Sequence, residues 1–144
     1  MKFLIINGVN LNLLGTREPE VYGLKTLKDL EKYLFEISFD LGIDIEVWQS
    51  NIEGDIVEKI QEARGIFNGI VINAGAYSHT SIAIRDAISA INIPCAEVHI
   101  SNVYKREEFR HKSVLAPVCV GQISGFGFEG YKLALEGLTK VRKS

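Results

Sequence analysis

The chain has 144 residues, a length that suits one domain with a single hydrophobic core. Its 47% hydrophobic and 24% charged residues exclude intrinsic disorder, and a formal net charge of −2 argues against a nucleic-acid partner. No apolar run approaches the ~20 residues of a membrane-spanning helix, and the run 3–6 is too short for the core of a signal peptide. We therefore expect one cytoplasmic domain over residues 1–144, with no membrane partner.

The cysteines and histidines indicate no metal or redox centre. Cys95 and Cys119 each lie in an apolar run typical of a strand, where a buried thiol is expected rather than a disulfide. His79, His99 and His111 lack the close spacing of a zinc motif. No glycine-rich phosphate loop follows a strand. The residues therefore predict a protein without metal or nucleotide cofactor.

Strand and helix patterns alternate along the chain. Short apolar or alternating runs predict strands, and apolar residues that recur every three or four positions predict helices. The helix that begins near Thr26 has Gly42 directly after it, where a C-cap residue is expected. In chain order the predicted elements are strand 3–6, helix 26–41, strand 43–47, helix 52–63, strand 69–72, helix 84–91, strand 96–100, strand 116–120 and helix 131–138.

This alternation predicts the fold class and the place of the site. Strands that are apolar on both faces indicate a parallel sheet covered by helices on two sides. About five strands favour a flavodoxin-like three-layer α/β/α sandwich with a five-stranded parallel sheet, because a barrel requires about 250 residues. The ligand site of such a sheet lies beyond the carboxyl ends of its strands. Those ends carry the polar segments 7–10, 73–76 and 97–101.

The first loop, 10–23, is longer than most connections between a strand and a helix and is a candidate lid. Gly15 and Gly23 are candidate hinges on either side of Arg17 and Tyr22. A guanidinium stabilises a neighbouring phenolate, so the two side chains can form a base and its activator. The alternative is a solvated arginine and a tyrosine that packs as a hydrophobic plug.

Segment 73–81 joins a buried strand to a helix. This segment has three hydroxyl side chains that can cap the helix, namely Ser78, Thr80 and Ser81. His79 and Asp86 are seven residues apart, a spacing that predicts one helical face two turns long. His79 is either a ligand contact or only a residue of the helix start.

Glu97 and His99 are two residues apart on a predicted strand, so both side chains leave the same face. A carboxylate beside an imidazole fixes the imidazole tautomer and favours its protonated form, which suits a general acid. The alternative is a purely structural pair.

A local basic patch follows this strand. Ser101 and Asn102 can cap a short helix that would place Arg106 and Arg110 on one face, four residues apart. Lys105, His111 and Lys112 add to the patch, whereas Glu107 and Glu108 dilute it. This balance favours one small anion over a nucleic-acid backbone.

Three blocks of the chain, 7–23, 73–86 and 97–110, together resemble the type II 3-dehydroquinate dehydratases of the shikimate pathway. Segments 116–118 and 121–127 fit as well, so the resemblance covers essentially the whole chain. Val9 and Ala74 stand where proline is common in the family, and Ser78 stands where threonine is common. We expect these departures to loosen two loops slightly.

The resemblance implies a single catalytic domain that reversibly dehydrates 3-dehydroquinate to 3-dehydroshikimate, by anti elimination through an enolate, with no cofactor and no imine. Tyr22 would be the base, with Arg17 supporting its phenolate and the developing negative charge. Asn10 would help to hold a water that stabilises the enolate. His99, oriented by Glu97, would protonate the departing hydroxyl.

The resemblance also implies the substrate contacts and the assembly. The substrate carboxylate is expected on the backbone N–H groups of Ile100 and Ser101. The substrate hydroxyls are expected to bind the side chains of Asn73, His79 and Arg110. Arg106 is expected to lie close by. Asp86 is expected to reach in from a neighbouring subunit of a homododecamer, a tetramer of trimers.

Two other function classes are alternatives to this activity. A flavodoxin-like FMN-binding or phospho-receiver module needs a phosphate loop rich in Ser and Thr, or an acidic cluster, and segment 7–14 offers neither. A non-catalytic flavodoxin-like module that binds a small anion would be expected to lack Tyr22, Arg17 or His99. All three residues are present.

Overall fold

In the computed structural model, which describes residues 1–141, five strands form one sheet, and each pairs in parallel with its neighbours. The strands are β1 (Lys2–Asn7), β2 (Asp44–Gln49), β3 (Gly69–Asn73), β4 (Cys95–His99) and β5 (Gly121–Ser124). Their order across the sheet is β2-β1-β3-β4-β5, the flavodoxin-like order. The predicted fold class is therefore confirmed.

Helices cover both faces of the sheet and form the outer layers. The α-helices are α1 (Pro19–Tyr22), α2 (Leu27–Leu41), α3 (Glu53–Glu62), α4 (Ile82–Ile91) and α5 (Glu129–Lys140). None of the helices within residues 1–141 has the length and apolar character needed to cross a membrane.

Successive side chains of β1 point to opposite faces of the sheet, and each face carries its own hydrophobic core. Phe3 and Ile5 pack with the apolar stripes of α2 and α5, whereas Leu4 and Ile6 pack with those of α3 and α4. All four side chains are fully buried. The apolar stripes read from the sequence therefore mark the inward faces of α2 to α5.

The ends of α2 lie where the sequence predicts them. Thr26 is the N-cap, and its side chain and that of Asp29 bond reciprocally to each other's backbone N–H groups in a capping box. Gly42 is the C-cap, with a φ of 67° that glycine adopts without strain.

The strand predicted over residues 116–120 is wrong. Ala116–Val118 forms a short 3₁₀ helix, and the fifth strand begins only at Gly121. Pro117 lacks the N–H group that a strand interior requires. β5 pairs with β4 alone and is partly exposed, so an edge strand of mixed polarity replaces the expected apolar one.

The alternating pattern over 96–100 does not produce an exposed face. All five residues of β4 are buried, because the strand lies between β3 and β5 and is covered by helices. Glu97 and His99 are therefore inside the protein. The fold thus carries a titratable pair in its interior.

The two cysteines are free thiols, and they differ in burial. Cys95 is buried as predicted, whereas Cys119 is only partly buried, because the expected strand around it does not form. A hydrogen bond with Cys119, together with burial, raises the pKa of the Cys95 thiol well above its ordinary value. Cys95 is therefore protonated at neutral pH.

Gly8, directly after β1, lies close to the backbone of Ala74, directly after β3. A Cβ atom on Gly8 would lie 2.6 Å from the carbonyl oxygen of Ala74, a backbone atom that cannot move aside alone. We expect Gly8→Ala to lower the free energy of unfolding by about 1–3 kcal/mol in urea denaturation. Gly54→Ala, in α3 with open space around the new Cβ, is the control and should be neutral or stabilise by up to about 1 kcal/mol. Equal effects of the two changes would contradict the packing argument.

Candidate active site

A pocket lies at the carboxyl ends of β1, β3 and β4, at the edge of the sheet where the strand order predicts a ligand site. All but two of the candidate residues line it. Those that do are Asn10, Arg17, Tyr22, Asn73, His79, His99, Ile100, Ser101, Arg106 and Arg110. Glu97 lies behind His99, and Asp86 lies outside the pocket on the exposed side of α4.

Glu97 and His99 form a buried pair at the floor of the pocket. His99 Nε2 lies 2.5 Å from Glu97 Oε2, as the spacing of two residues on a strand predicts. The carboxylate thereby fixes the Nε2–H tautomer of the imidazole. Nδ1 is then the ring nitrogen that can serve a ligand.

Ser113 holds the other side of this carboxylate. Its hydroxyl donates to Glu97 Oε1 at 2.7 Å, and its oxygen accepts from the backbone N–H groups of Leu115 and Ala116. Burial raises the pKa of Glu97, but the hydrogen bonds and charge of His99 and the hydroxyl of Ser113 outweigh it, so the pKa lies below 4.5. Glu97 is therefore ionised at neutral pH.

Tyr22 at the end of α1 is held by two arginines. Arg106 Nη1 donates to Tyr22 Oη at 2.6 Å. The guanidinium carbons of Arg17 and Arg106 lie 5.3 and 5.2 Å from the centre of the Tyr22 ring. The sequence points to Arg17 as the partner of Tyr22, but the direct hydrogen bond comes from Arg106, 84 residues away along the chain.

The candidate lid, 10–23, is built of two short helical turns. A 3₁₀ helix spans Leu11–Leu13, and α1 follows. Gly15 and Gly23, the predicted hinges, have φ angles of 90° and 79°, which favour glycine. Glu18 ties this segment to the rest of the site, because its carboxylate accepts from Arg106 Nη2 at 3.2 Å.

His79 lies in the pocket but not on the helix of Asp86. The 3₁₀ helix Gly75–His79 ends before α4 begins, so the predicted shared helical face is wrong. Ser81, rather than His79, caps α4, because its Oγ accepts from the N–H of Ile84. His79 Nδ1 donates to the carbonyl of Lys112 at 2.8 Å.

The charge state of His79 follows from its burial. Burial is the main cause that lowers the pKa of His79 below 6.5, with smaller contributions from the charges of His99 and Arg110. The His79 and His99 rings are stacked with centroids 6.0 Å apart. His79 therefore offers a neutral imidazole, with Nε2 as an acceptor.

Arg106 and Arg110 do not share one helix as predicted. Two separate 3₁₀ turns, Val103–Lys105 and Glu108–Arg110, replace it, because Arg106 adopts an extended backbone conformation between them. The predicted cap is present, since Asn102 Oδ1 accepts from Tyr104 N at 3.1 Å. Both arginines nevertheless line the pocket.

Comparison with known proteins identifies the family. A model of the family Dehydroquinase class II matches residues 1–139 of the chain. The chain belongs to this family.

Relatives and solved structures of class II dehydroquinases match the chain along nearly its full length. A 3-dehydroquinate dehydratase of Bacillus pumilus is 57% identical, over 94% of this chain and 92% of the relative. One of Geotalea daltonii is 55% identical over 96% of both chains. The crystal structure of a type II dehydroquinase from Butyrivibrio crossotus superposes with a TM-score of 0.95 at 51% identity, covering 97% of this chain and 98% of that one. The one from Propionibacterium acnes gives 0.93 at 45% identity, covering 97% of each chain.

Sequence reasoning missed two residues that support this class II dehydroquinase pocket. Ser113 binds Glu97, and Tyr131 of α5 binds the side chain of Asn73. Tyr131 is predicted from its helical stripe only as a core residue. Its phenol is a usable signal, because a buried tyrosine hydroxyl normally finds a partner. No local pattern marks Ser113.

Among residues 1–141, no three His, Cys, Asp or Glu side chains converge in a way that could hold a metal ion. The two imidazoles of the pocket are bound within the protein, His99 to Glu97 and His79 to the carbonyl of Lys112.

The lowered pKa of Glu97 couples stability to pH. A carboxyl group whose pKa falls below 4.5 on folding stabilises the folded state above that value, and this contribution is lost as the pH falls through the folded pKa. We expect Glu97→Gln to lower the free energy of unfolding by about 1–3 kcal/mol at pH 7 and by less at pH 3. Urea denaturation across this range measures the difference. Glu58→Gln, on the exposed side of α3, is the control, and a gap that does not shrink in acid would contradict the ionised buried carboxylate.

Proposed function

We propose that this pocket removes water from 3-dehydroquinate by anti elimination through an enolate, with Tyr22 as base and His99 as acid. As a member of the class II dehydroquinase family, the chain is a hydro-lyase of the shikimate pathway that acts on 3-dehydroquinate. The observation that carries the proposal is a phenol bound by a guanidinium in the same pocket as an imidazole bound by a carboxylate.

The base side of the reaction rests on Tyr22. The phenol of Tyr22 accepts a hydrogen bond from Arg106 and lies beside the charge of Arg17, so two cations face the oxygen and ring on which a phenolate would form. The phenolate takes the proton beside the substrate ketone, and the electron pair of that C–H bond forms the enolate. Asn10 holds a water that stabilises the enolate oxygen. Asn10 lines the pocket, which supports this placement, and the bond from its N–H to Asn51 Oδ1 anchors its backbone.

The acid side rests on His99. When His99 is an imidazolium, its Nε2–H group donates to the ionised Glu97, and the Nδ1 proton is available to the pocket. As the enolate collapses, the C–O bond breaks, and the departing hydroxyl takes that proton and leaves as water. A general acid at this step avoids expelling hydroxide.

The remaining pocket residues bind the substrate. The substrate carboxylate binds the backbone N–H groups of Ile100 and Ser101, directly after β4. Neutral His79, Asn73 and Arg110 bind the substrate hydroxyls, and Arg110 is steadied for this by Glu107 at 3.2 Å. Arg106 lies close by while it holds Tyr22.

The proposal extends to assembly and location. We propose that residues 1–144 form one catalytic domain that assembles into a homododecamer, a tetramer of trimers, in the cytoplasm. The placement of Asp86 supports a shared site, because it is exposed on α4 and outside its own pocket, where a neighbouring subunit can receive it. The free thiols of Cys95 and Cys119 suit a reducing compartment.

A direct assay tests the reaction. Purified protein is treated with chelator, or is incubated with borohydride and 3-dehydroquinate together and then freed of both, before fresh 3-dehydroquinate is added and the ultraviolet absorption of the conjugated enone product is followed. We expect absorption to rise at the rate of untreated protein, because the proposed route needs neither metal nor imine. No rise with folded, assembled protein would favour the non-catalytic small-anion-binding alternative.

Tyr22→Phe tests the base. The change removes one hydroxyl, so we expect kcat to fall by at least about 10²-fold while calorimetry shows 3-dehydroquinate affinity within a few-fold of wild type. Tyr104→Phe, an exposed tyrosine outside the pocket, is the matched control and should retain full activity. A near-wild-type rate for the Tyr22 variant would show that another group is the base.

Mass and subunit mixing test the assembly. Light scattering should give about twelve times the 16.0 kDa chain mass. Asp86→Ala and Tyr22→Phe should each impair activity alone, whereas co-expressed mixed oligomers should regain part of it, because some pockets then combine an intact Tyr22 with an Asp86 from a neighbour. A monomer of full activity would overturn the shared site.

A further inference from the structure

A fully buried tyrosine lies behind the pocket, where β1 meets β3. Tyr131 Oη donates to Asn7 Oδ1 at 2.7 Å and accepts from Asn73 Nδ2 at 3.0 Å. Asn7 and Asn73 are the last residues of their strands and are register partners in the sheet. Burial raises the pKa of Tyr131 far above its ordinary value, so its hydroxyl keeps its proton.

The two bonds of this hydroxyl determine the orientation of the Asn73 amide. Because the Tyr131 proton goes to Asn7, the Tyr131 oxygen can only accept from Asn73. Asn73 Oδ1 in turn accepts from the backbone N–H of Gly75 at 3.2 Å. A flipped amide would set Oδ1 against the phenol oxygen and Nδ2 against the N–H of Gly75, two repulsive contacts in place of two hydrogen bonds.

The fixed amide has one N–H group and one carbonyl lone pair left over. An asparagine side chain offers two donors and two acceptor positions, and the protein uses one of each. Asn73 lines the pocket, so the remaining pair is available to a hydroxyl, which both donates and accepts. An amide held at both ends binds without first losing rotational freedom.

We propose that Tyr131 is a positioning residue for substrate recognition, which acts through Asn73 by holding its amide in the one orientation that serves a substrate hydroxyl. This inference rests on the proposed role of Asn73 in binding 3-dehydroquinate. A contact to a non-reacting hydroxyl is made in the ground state and the transition state alike, so its loss raises KM and spares kcat.

Tyr131→Phe is the primary test. The variant keeps the ring and loses the hydroxyl, and we expect KM for 3-dehydroquinate to rise about 3- to 10-fold with kcat within about 2-fold. Tyr33→Phe is the matched control, because the Tyr33 hydroxyl also bonds to α5, at Glu129, but outside this pocket. It should leave KM unchanged. A Tyr131 variant that melts earlier but keeps its KM would overturn the proposal and leave a purely structural tyrosine.

A double-mutant cycle identifies the route of the effect. If Tyr131 acts through Asn73, the Tyr131→Phe change should raise KM in the wild-type background and have no effect in the Asn73→Ala background. Additive effects on KM, or a wild-type KM for Asn73→Ala, would overturn the proposal.

Asn7→Leu approaches the same network from its other end. Leucine has the branched skeleton of asparagine, with slightly larger methyl groups, and it removes Asn7 Nδ2, which is buried without a hydrogen-bond partner among residues 1–141. The Tyr131 hydroxyl then has no acceptor at Asn7. Its proton can turn toward Asn73, where it opposes the Nδ2–H group and disturbs the amide, so KM should rise here too. This variant tests the proposal should Tyr131→Phe fail to fold, and an unchanged KM would overturn it.

Dissociation constants for 3-dehydroquinate, measured by calorimetry with each change placed in the Tyr22→Phe background, distinguish a failure of the positioning role from a failure of the proposed reaction. Wild-type protein that binds without turnover would overturn the proposed reaction. The dissociation constants would still rise with Tyr131→Phe if the positioning role holds, and would stay constant if it does not.

Discussion

The order of the five parallel strands is the constraint on which the site depends. The order reverses between β1 and β3, so the connections that leave these two strands run to opposite sides of the sheet and leave a crevice at their carboxyl ends. Asn10 follows β1, Asn73 ends β3, and His99 ends the neighbouring β4. Because all strands point the same way, these side chains meet at one edge although they are far apart in sequence.

This edge carries polar groups inside the protein, and their partners define its chemistry. Asn7, Asn73, Glu97 and His99 are all buried. A buried polar group without a partner costs about 1–3 kcal/mol, and more when it is charged. Tyr131 from α5 bonds to both asparagines, while Ser113 and His99 share the carboxylate. The bonds that make burial tolerable also stop these side chains from rotating, as an oriented site requires.

Arg106 connects two loops at this edge. Its guanidinium binds the Tyr22 hydroxyl and the Glu18 carboxylate, both in the first loop, although Arg106 follows β4. One cation therefore anchors the candidate lid and contacts the hydroxyl of its tyrosine. The position of the loop and the surroundings of Tyr22 depend on the same side chain.

The sequence alone determined the features that depend on local spacing. Helix α2 was predictable to its ends because its apolar stripe follows from the helical repeat, and Thr26 and Gly42 each act on the adjacent turn of the helix. The Glu97–His99 contact follows from the two-residue repeat of a strand, and the family from motifs that the sequence displays directly. Only the tertiary structure decided that segment 116–120 is not a strand and that His79 and Asp86 do not share a helix. It also paired Tyr22 with Arg106 and Tyr131 with Asn7, residues 84 and 124 positions apart. Such contacts are made between elements that the sheet brings together, so no local pattern encodes them.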